Sequence, residues 1–380
     1  MTAQAAAGHT REHFADFARQ IIEPAAARSD RDYAIPESHV TALAERGLLA
    51  PAVPSAFGGS ELSATELGLL CAEIGAACTA TRSLLTVQNM VAYAILRFGN
   101  LRQRTEVLPR LASGQAVAAF ALTEPDTGSD AAAVQAELRP APGGYVLRGV
   151  KRWITFGARA DILLVLARAP QGLTAVLVTS RTPGMTRTPV RGQLGLRGAM
   201  LADVIFDNCP VDESDIVARP GLGFTYVANA ALDHARYTVA WGCVGIAQAC
   251  LRESLAYAAR RHQFGRPIVD HQLIRRALTE MAVSLRAATL LCGDAGRLRD
   301  EGSPDAVHQT LIAKYHASTA LRAVTADAVQ IHGANGCAPG AVVERCYRDA
   351  RVMEIIEGST EMLQLLIPDY ELRAAGVMPR

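Results

Sequence analysis

The residue best placed to do acid–base chemistry is Glu357, in the run Arg345-Cys-Tyr-Arg348-Asp349-Ala-Arg-Val-Met353-Glu-Ile355-Ile356-Glu357-Gly358-Ser359-Thr-Glu361-Met362. Two apolar residues precede this carboxylate and a glycine follows it, so the backbone can turn there and hold the acid in a poorly solvated place. Desolvation raises a carboxyl pKa towards the range of a general base. Taken alone, the same Glu-Gly pair also reads as the end of a surface helix.

Two other segments have the composition of a ligand site. Phe120-Ala-Leu122-Thr123-Glu124-Pro-Asp-Thr-Gly128-Ser129-Asp130 starts as a buried strand and ends in a Gly-Ser turn. Such a turn leaves backbone N–H groups and hydroxyls free for a ligand, or is simply an Asx/Ser turn. Lys151-Arg-Trp153-Ile-Thr155-Phe156-Gly157 sets an aromatic face beside a hydroxyl, which suits a flat apolar ring, although a Trp in an apolar strand reads as well as core. Arg261 offers the forked donors that pair two phosphate oxygens. Asp233 and Arg236, three apart on a helix, are either a site or an i,i+3 salt bridge.

The elements that must position these groups fall into three stretches. Residues 1–115 show Ala and Leu at helical spacing, broken at Gly47, at Pro51 to Gly59 and at Gly99-Asn100, which predicts a helical domain. Pro36 is expected at the first position of one helix and Gly47 just past its end. Residues 116–223 change to short β-branched runs between Pro, Gly and Asn, which predicts antiparallel strands at Tyr145–Leu147, Ile162–Leu166, Ala175–Val178 and Asp203–Phe206. Residues 224–380 return to long proline-free helical stretches at 224–261, 269–301 and 305–332, whose length predicts a buried bundle and an oligomer interface.

Composition excludes several classes. The net charge is +1, and acids and bases are interspersed, so neither nucleic acid nor a membrane surface is expected as partner. The longest apolar run, Thr238 to Cys250, is shorter than the roughly 18 residues of a membrane span. Met1 to Gly8 holds no apolar signal core, from which a cytoplasmic location is expected. The eight cysteines form no Cys-x-x-Cys pair, so buried reduced thiols are expected. No His-Glu-x-x-His spacing occurs, and no metal is expected.

In order, and over nearly the whole chain, these segments resemble the acyl-CoA dehydrogenase family. The matching pieces are Thr123-Glu-Pro-x-x-Gly-Ser129-Asp130, Lys151-x-Trp153-Ile-Thr155, Asp233-x-x-Arg236, Arg261-x-x-Phe264-Gly-x-Pro267 with His271-Gln272, Gln330-x-x-Gly333-Ala334-x-Gly336 and Glu357-Gly358-Ser359. The resemblance implies an α+β multidomain chain with an N-terminal helical domain, a middle antiparallel β domain and a C-terminal four-helix bundle. It implies FAD as cofactor, an acyl thioester on CoA or an acyl carrier protein as substrate, an electron acceptor such as electron-transfer flavoprotein, and a homodimer or homotetramer.

The resemblance also assigns residues. Glu357 becomes the catalytic base, because the family's other position for that group, on an earlier helix, is Ala235 here. Phe120, Leu122, Thr123 and Ser129 would line the flavin, Ser129 also touching substrate; Trp153 would cover the ring and Thr155 bond its N5. Asp233 and Arg236 belong to the substrate segment. Arg261 would reach a pyrophosphate across a dimer interface, with Gln263, Phe264, His271, Gln272, Gln330, Gly333, Ala334, Ser359 and Glu361 as further cofactor contacts. Phe156, Ala334 and Glu361 depart from the family's polar residue, glycine and glutamine. The enolate oxygen would be stabilised by the ribityl 2′-hydroxyl and the Glu357 N–H.

A narrower resemblance lies in Thr238–Ile246, Val342–Arg345 and Met353–Ser359, which are similar to dehydrogenases of polyketide clusters that make methoxymalonyl extender units on a carrier protein. This implies oxidation at C3 of a carrier-bound, glycerate-derived three-carbon unit. Plain α,β-desaturation of a short acyl thioester is the alternative, and a non-catalytic scaffold of the same fold the remote one.

Overall fold

The structure, a computed structural model, describes residues 10–377. The stretch Met1–Gly8, read above as lacking a leader, lies outside the described residues.

The first domain contains α1 (Arg11–Phe17), α2 (Ala26–Asp32), α3 (Glu37–Glu45), α4 (Ala64–Ala77), α5 (Thr79–Phe98) and α6 (Leu108–Ala112). The start of α4 is fixed by a capping box, in which the Ser63 hydroxyl accepts from Glu66 N and the Glu66 carboxylate accepts from Ser63 N. Pro36 stands one place earlier than expected, as the extended N-cap of α3, and Gly47 at φ +67° follows the cap Arg46. An extended Pro36 satisfies its ring geometry without entering the helix. Most of α5 is buried, Arg82 included.

The second domain is an eight-stranded sheet of β1 (Ala118–Ala121), β2 (Glu137–Ala141), β3 (Gly144–Ile154), β4 (Ile162–Ala169), β5 (Gly172–Thr179), β6 (Met185–Pro189), β7 (Ala202–Asp212) and β8 (Ile216–Val217). Its order is β6-β7-β3-β2-β4-β5-β8, with β1 beside β4. The expected antiparallel pairing holds for β2–β3, β3–β7, β4–β5, β5–β8 and β6–β7. Parallel pairing joins β1 to β4 over Ala118↔Ile162 to Ala121↔Val165 and touches β2–β4 at a single pair. No tight hairpin connects β1 to β4, so nothing forces them antiparallel.

The third domain contains α7 (Asn229–Arg260), a small hairpin of β9 (His262–Gln263) and β10 (Arg266–Pro267), then α8 (Gln272–Asp300), α9 (Ala306–His332), α10 (Val342–Met353) and α11 (Thr360–Ala374). The central helix is α7, which packs on α4, α5, α8 and α9. Glycine permits the crossing with α4: a Cβ on Gly245 would lie 2.0 Å from Ala72 O and 2.8 Å from Ala76 N. Gly293, on α8, has nothing within 4 Å of such a Cβ. Gly245→Ala is therefore expected to destabilise by about 1–3 kcal/mol through overpacking, whereas Gly293→Ala leaves stability unchanged or raised; thermal melts of the pair check this.

Seven cysteines are buried and unbonded as expected, whereas Cys337 is exposed, in the turn after α9. Among the described residues, no helix is long and apolar enough to cross a membrane and no cluster of three or more metal-ligating groups occurs.

Candidate active site

Glu357 sits in the short turn between α10 and α11, with φ +57°, and Gly358 follows at φ +95°. A left-handed conformation costs a non-glycine residue about 1–3 kcal/mol and persists only where the surroundings over-determine it. Here they do. Arg236 Nε donates to the Glu357 carbonyl at 2.9 Å, and Lys314 Nζ donates to the Gly358 carbonyl at 2.8 Å. The Ser359 hydroxyl caps α11 by accepting from Met362 N at 3.4 Å, and Thr360 N donates to Glu354 O at 3.0 Å. The two cations hold the backbone of the turn, while the Glu357 carboxylate has no hydrogen bond among the described residues and lines a cavity of about 1090 Å³. Burial pushes this carboxyl above the usual glutamate range, against the opposing pull of Arg236, Lys314 and Arg82. Burial pushes Lys314 down to about 8.

A second part of the lining is built from β1 with the loop after it and from the end of β3. Phe120, Leu122, Thr123 and Ser129 come from the first, Trp153 and Thr155 from the second. Trp153 is left-handed at φ +59° and 48% exposed. Its neighbour Phe156, also left-handed at φ +55°, is buried against the helical core and does not line the cavity. That explains why an apolar residue is tolerated where a polar one was expected.

What joins the two wall segments is an ion pair that sequence reasoning did not single out. Lys151 Nζ, fully buried, donates to Glu124 Oε1 at 2.7 Å and to Leu122 O at 3.0 Å. The Glu124 carboxylate also accepts from Gln135 N at 2.7 Å and Ala136 N at 2.9 Å, and Arg152 N donates to Thr123 O at 2.8 Å. Burial pushes Lys151 down to about 8, its bond to Glu124 pulling the other way. No local signal marked the pair, since Glu124 lies in the loop after β1 and β3 carries Arg148 and Arg152 besides Lys151.

On α7, Asp233 and Arg236 do not pair with each other. Asp233 Oδ1 accepts from Arg299 Nη2 at 2.7 Å, whereas Arg236 turns to the Glu357 carbonyl. Both line the cavity, and Ala235 between them is fully buried. The Arg348-Asp349 pair of the C-terminal run has a fixing role. Arg348 grips Asp30 of α2 at 3.0 and 2.6 Å and Leu194 O at 3.1 Å, while Asp349 Oδ1 accepts from Leu196 N at 2.7 Å. All three domains are thereby pinned immediately before the turn that carries Glu357.

Nine expected cofactor residues lie elsewhere. Arg261, Gln263, Phe264, Gln272, Gln330, Gly333, Ala334 and Glu361 are exposed and His271 is half-buried, and none of them lines the cavity. Phe264 is 94% exposed at the tip of the β9–β10 hairpin. His271 braces that hairpin, its Nε2 lying 3.2 Å from Gln263 O and its Nδ1 3.3 Å from Arg266 Nη2. Of the expected site residues, Phe120, Leu122, Thr123, Ser129, Trp153, Thr155, Asp233, Arg236, Glu357 and Ser359 meet at one cavity.

The part of the lining supplied by the β1 and β3 segments fits a flat heteroaromatic group. It presents a half-exposed indole, and the hydroxyls of Thr123, Ser129 and Thr155 have no hydrogen bond among the described residues. Unspent hydroxyls around an aromatic face match the nitrogen and oxygen rim of a flavin.

Comparison with known proteins agrees. The N-terminal, middle and C-terminal domains of acyl-CoA dehydrogenases match residues 6–115, 119–209 and 221–369. The chain belongs to the acyl-CoA dehydrogenase family. It is an FAD-dependent oxidoreductase of that type, and the family's reaction acts on the CH–CH group of acyl-CoA. The short-chain specific acyl-CoA dehydrogenase of Rattus norvegicus mitochondria is 36% identical over 365 residues, covering 94% of this chain and 88% of that protein. The NADH-dependent acryloyl-CoA reductase of Anaerotignum propionicum is 36% identical over 358 residues, 92% and 90% of the two chains. Among solved structures, FkbI, for biosynthesis of the methoxymalonyl extender unit of the Fk520 polyketide, superposes with TM-score 0.88 at 33% identity over 96% of this chain and 99% of that one.

Proposed function

We propose that this protein dehydrogenates a three-carbon unit held as a thioester on an acyl carrier protein, in the assembly of hydroxymalonyl and methoxymalonyl extender units. The observation that carries the reading is the Glu357 carboxylate, free of hydrogen bonds, desolvated and aimed into the cavity by a strained turn. Similarity to FkbI supports the choice of pathway.

Glu357 acts as the base. Leu122, Thr123, Trp153 and Thr155 hold the flavin ring, and Ser129, Asp233 and Arg236 lie along the substrate. FAD, when bound, supplies the two-electron acceptor. On a hydrated C3 aldehyde, Glu357 takes the proton of one hydroxyl while C3 gives up its hydrogen as hydride; the gem-diol becomes a carboxylic acid. Arg236 and Lys314 fix the carbonyls of Glu357 and of the next residue, Gly358, so the turn that carries the carboxylate does not have to be ordered at the moment of reaction. The exposed hairpin and the 330–334 turn serve a neighbouring chain's cofactor in a homodimer or homotetramer, with Arg261 on the pyrophosphate and Gln263, Phe264, His271, Gln272, Gln330, Gly333, Ala334 and Glu361 around it. An acceptor such as electron-transfer flavoprotein removes the electrons.

A second reading, α,β-desaturation of a short acyl-CoA or acyl carrier protein thioester, is favoured by the 36% identity with the short-chain specific dehydrogenase. Here Glu357 takes the α-proton instead. The anaerobic visible spectrum of the FAD-loaded protein separates the two. Bleaching by the C3-semialdehyde on its carrier protein, and not by butyryl-CoA, is the expected result; the reverse overturns the carrier-protein reading in favour of desaturation.

A further inference from the structure

The cavity beside Glu357 changes character along α7. Thr225, Tyr226 and Asn229, at and just before the start of that helix, line it and are exposed, so the cavity opens to solvent there. Leu232, Asp233 and Arg236 line it further along and are half-buried. One turn beyond Arg236, on the same side of the helix, Val239 and Ala240 are 0% exposed and do not line it. Helix α5 repeats this profile from its C-terminal end. Phe98, whose ring centroid lies 6.1 Å from that of Tyr226, lines the cavity, as does Tyr93, whereas Met90, a turn deeper, is 2% exposed and does not.

The two helices close on each other at that depth. Met90 forms a buried cluster with Ala231 and Ala235 of α7, which stand one turn apart on one face. A turn deeper still, Thr86 Oγ1 lies 3.0 Å from Thr238 Oγ1. Two alanines leave a gap between α5 and α7, and an unbranched thioether side chain is suited to filling such a gap. Phe120 and Leu232 pack against this cluster and also line the cavity, so they are the partition between Met90 and the space in front of Glu357. An acyl group reaching Glu357 on a pantetheine arm enters from the exposed end, because the carrier at the other end of the arm is too large to enter. Its free end therefore points past Arg236 and Glu357, which are joined by the bond from Arg236 Nε to the Glu357 carbonyl at 2.9 Å, towards the Met90 cluster.

We propose that Met90 is a specificity-determining residue: its side chain closes the deep end of the cavity and holds the enzyme to short acyl chains. The inference rests on the thioester reading above and applies to the carrier-protein and CoA forms of it alike. With the γ, δ and ε atoms of Met90 removed, Ala231 and Ala235 face an unfilled space, and small movements of Phe120 and Leu232 join it to the cavity.

The test measures binding without turnover. FAD-loaded protein carrying Glu357→Gln is titrated with butyryl-, hexanoyl- and octanoyl-pantetheine, which bear the arm common to CoA and carrier proteins, and the Kd is read from the flavin visible band. With Met90 in place, butyryl is expected to bind more tightly than hexanoyl, and octanoyl most weakly. Burial of each further methylene is worth about fourfold in affinity, so Met90→Ala is expected to strengthen hexanoyl relative to butyryl by about tenfold. Met90→Leu, which fills a similar volume, is expected to keep the original order. Met281→Ala is the control: Met281 is also 0% exposed, but it sits in α8 within the main core and does not line the cavity. Its loss is expected to lower the melting temperature and leave the order of chain lengths as it was. Where Met90→Ala does not fold, Met90→Val leaves a smaller void and is expected to shift the preference in the same direction by about fourfold.

An unchanged order of chain lengths in Met90→Ala, or in Met90→Val where that variant is used, overturns the role of Met90. An equal shift in Met281→Ala overturns it as well, as does octanoyl binding as tightly as butyryl while Met90 is present. Failure of both Met90→Ala and Met90→Val to fold makes the residue structural and has the same consequence. Absence of binding by every chain length is a separate outcome, which removes the thioester reading itself and this inference with it.

Discussion

Glu357→Gln is expected to lower kcat by about 10²–10⁴-fold while leaving the flavin spectrum and thioester binding intact. The substitution is nearly isosteric. Arg236 and Lys314 bond the carbonyls of residues 357 and 358 rather than the carboxylate, so the turn keeps its anchors and only the proton acceptor is lost. Stopped-flow reduction of the bound flavin by substrate reads the chemical step directly. A rate within a few-fold of wild type would remove Glu357 from the base role in both the carrier-protein and the desaturation readings. In the wild-type enzyme the acid limb is expected above the ordinary glutamate range, since burial raises this carboxyl. The base must be ionised to work, so activity falls as pH drops through that raised value.

Lys151→Met is expected to cost about 3–5 kcal/mol of stability, because it strands the buried Glu124 carboxylate. Lys151 is fully buried and donates to both Glu124 and Leu122 O, so its loss also unties the segment carrying Leu122 and Thr123 from the strand carrying Trp153 and Thr155. The falling melting temperature should therefore be accompanied by release of flavin on gel filtration. Adding Glu124→Gln to Lys151→Met removes the stranded charge, while a side-chain amide oxygen still accepts from Gln135 N or Ala136 N. The double variant is expected to recover a substantial part of the loss. If the two substitutions were additive instead, the pair would not be the tie between the wall segments.

Much of this was legible in the chain itself, and the parts that were not share a cause. Proline and glycine punctuation together with helical spacing marked α7, α8 and α9 within a few residues, because a helix pattern is local. Glu357, Trp153, Thr155, Asp233 and Arg236 were legible as types in suggestive company, and the structure brings them to one cavity. The Lys151–Glu124 tie was not legible: the partners are 27 residues apart and meet only because β1 and β3 converge. Asp233 and Arg236 looked like a possible pair on spacing alone, yet Arg299 from α8 takes the aspartate and the Glu357 turn takes the arginine. Met90 gave no signal, since a methionine in an apolar helix acquires meaning only from what surrounds it. The parallel pairing of β1 with β4 was missed for the same reason, alternation along a strand being silent about the direction of its neighbour.

Both lysines of the chain, Lys151 and Lys314, are wholly interior. The other 36 basic side chains are guanidinium groups, which at neutral pH do not attack acyl carbon. The folded surface thus offers no lysine amine to an activated thioester. Stray acyl transfer from substrate to enzyme, a side reaction that accompanies any protein bathed in reactive thioesters, has no lysine to reach until the protein unfolds. An amine-directed reagent such as acetic anhydride should accordingly leave both lysines unmodified in the native protein and label them once it is denatured, a readout of folding that the composition provides unasked.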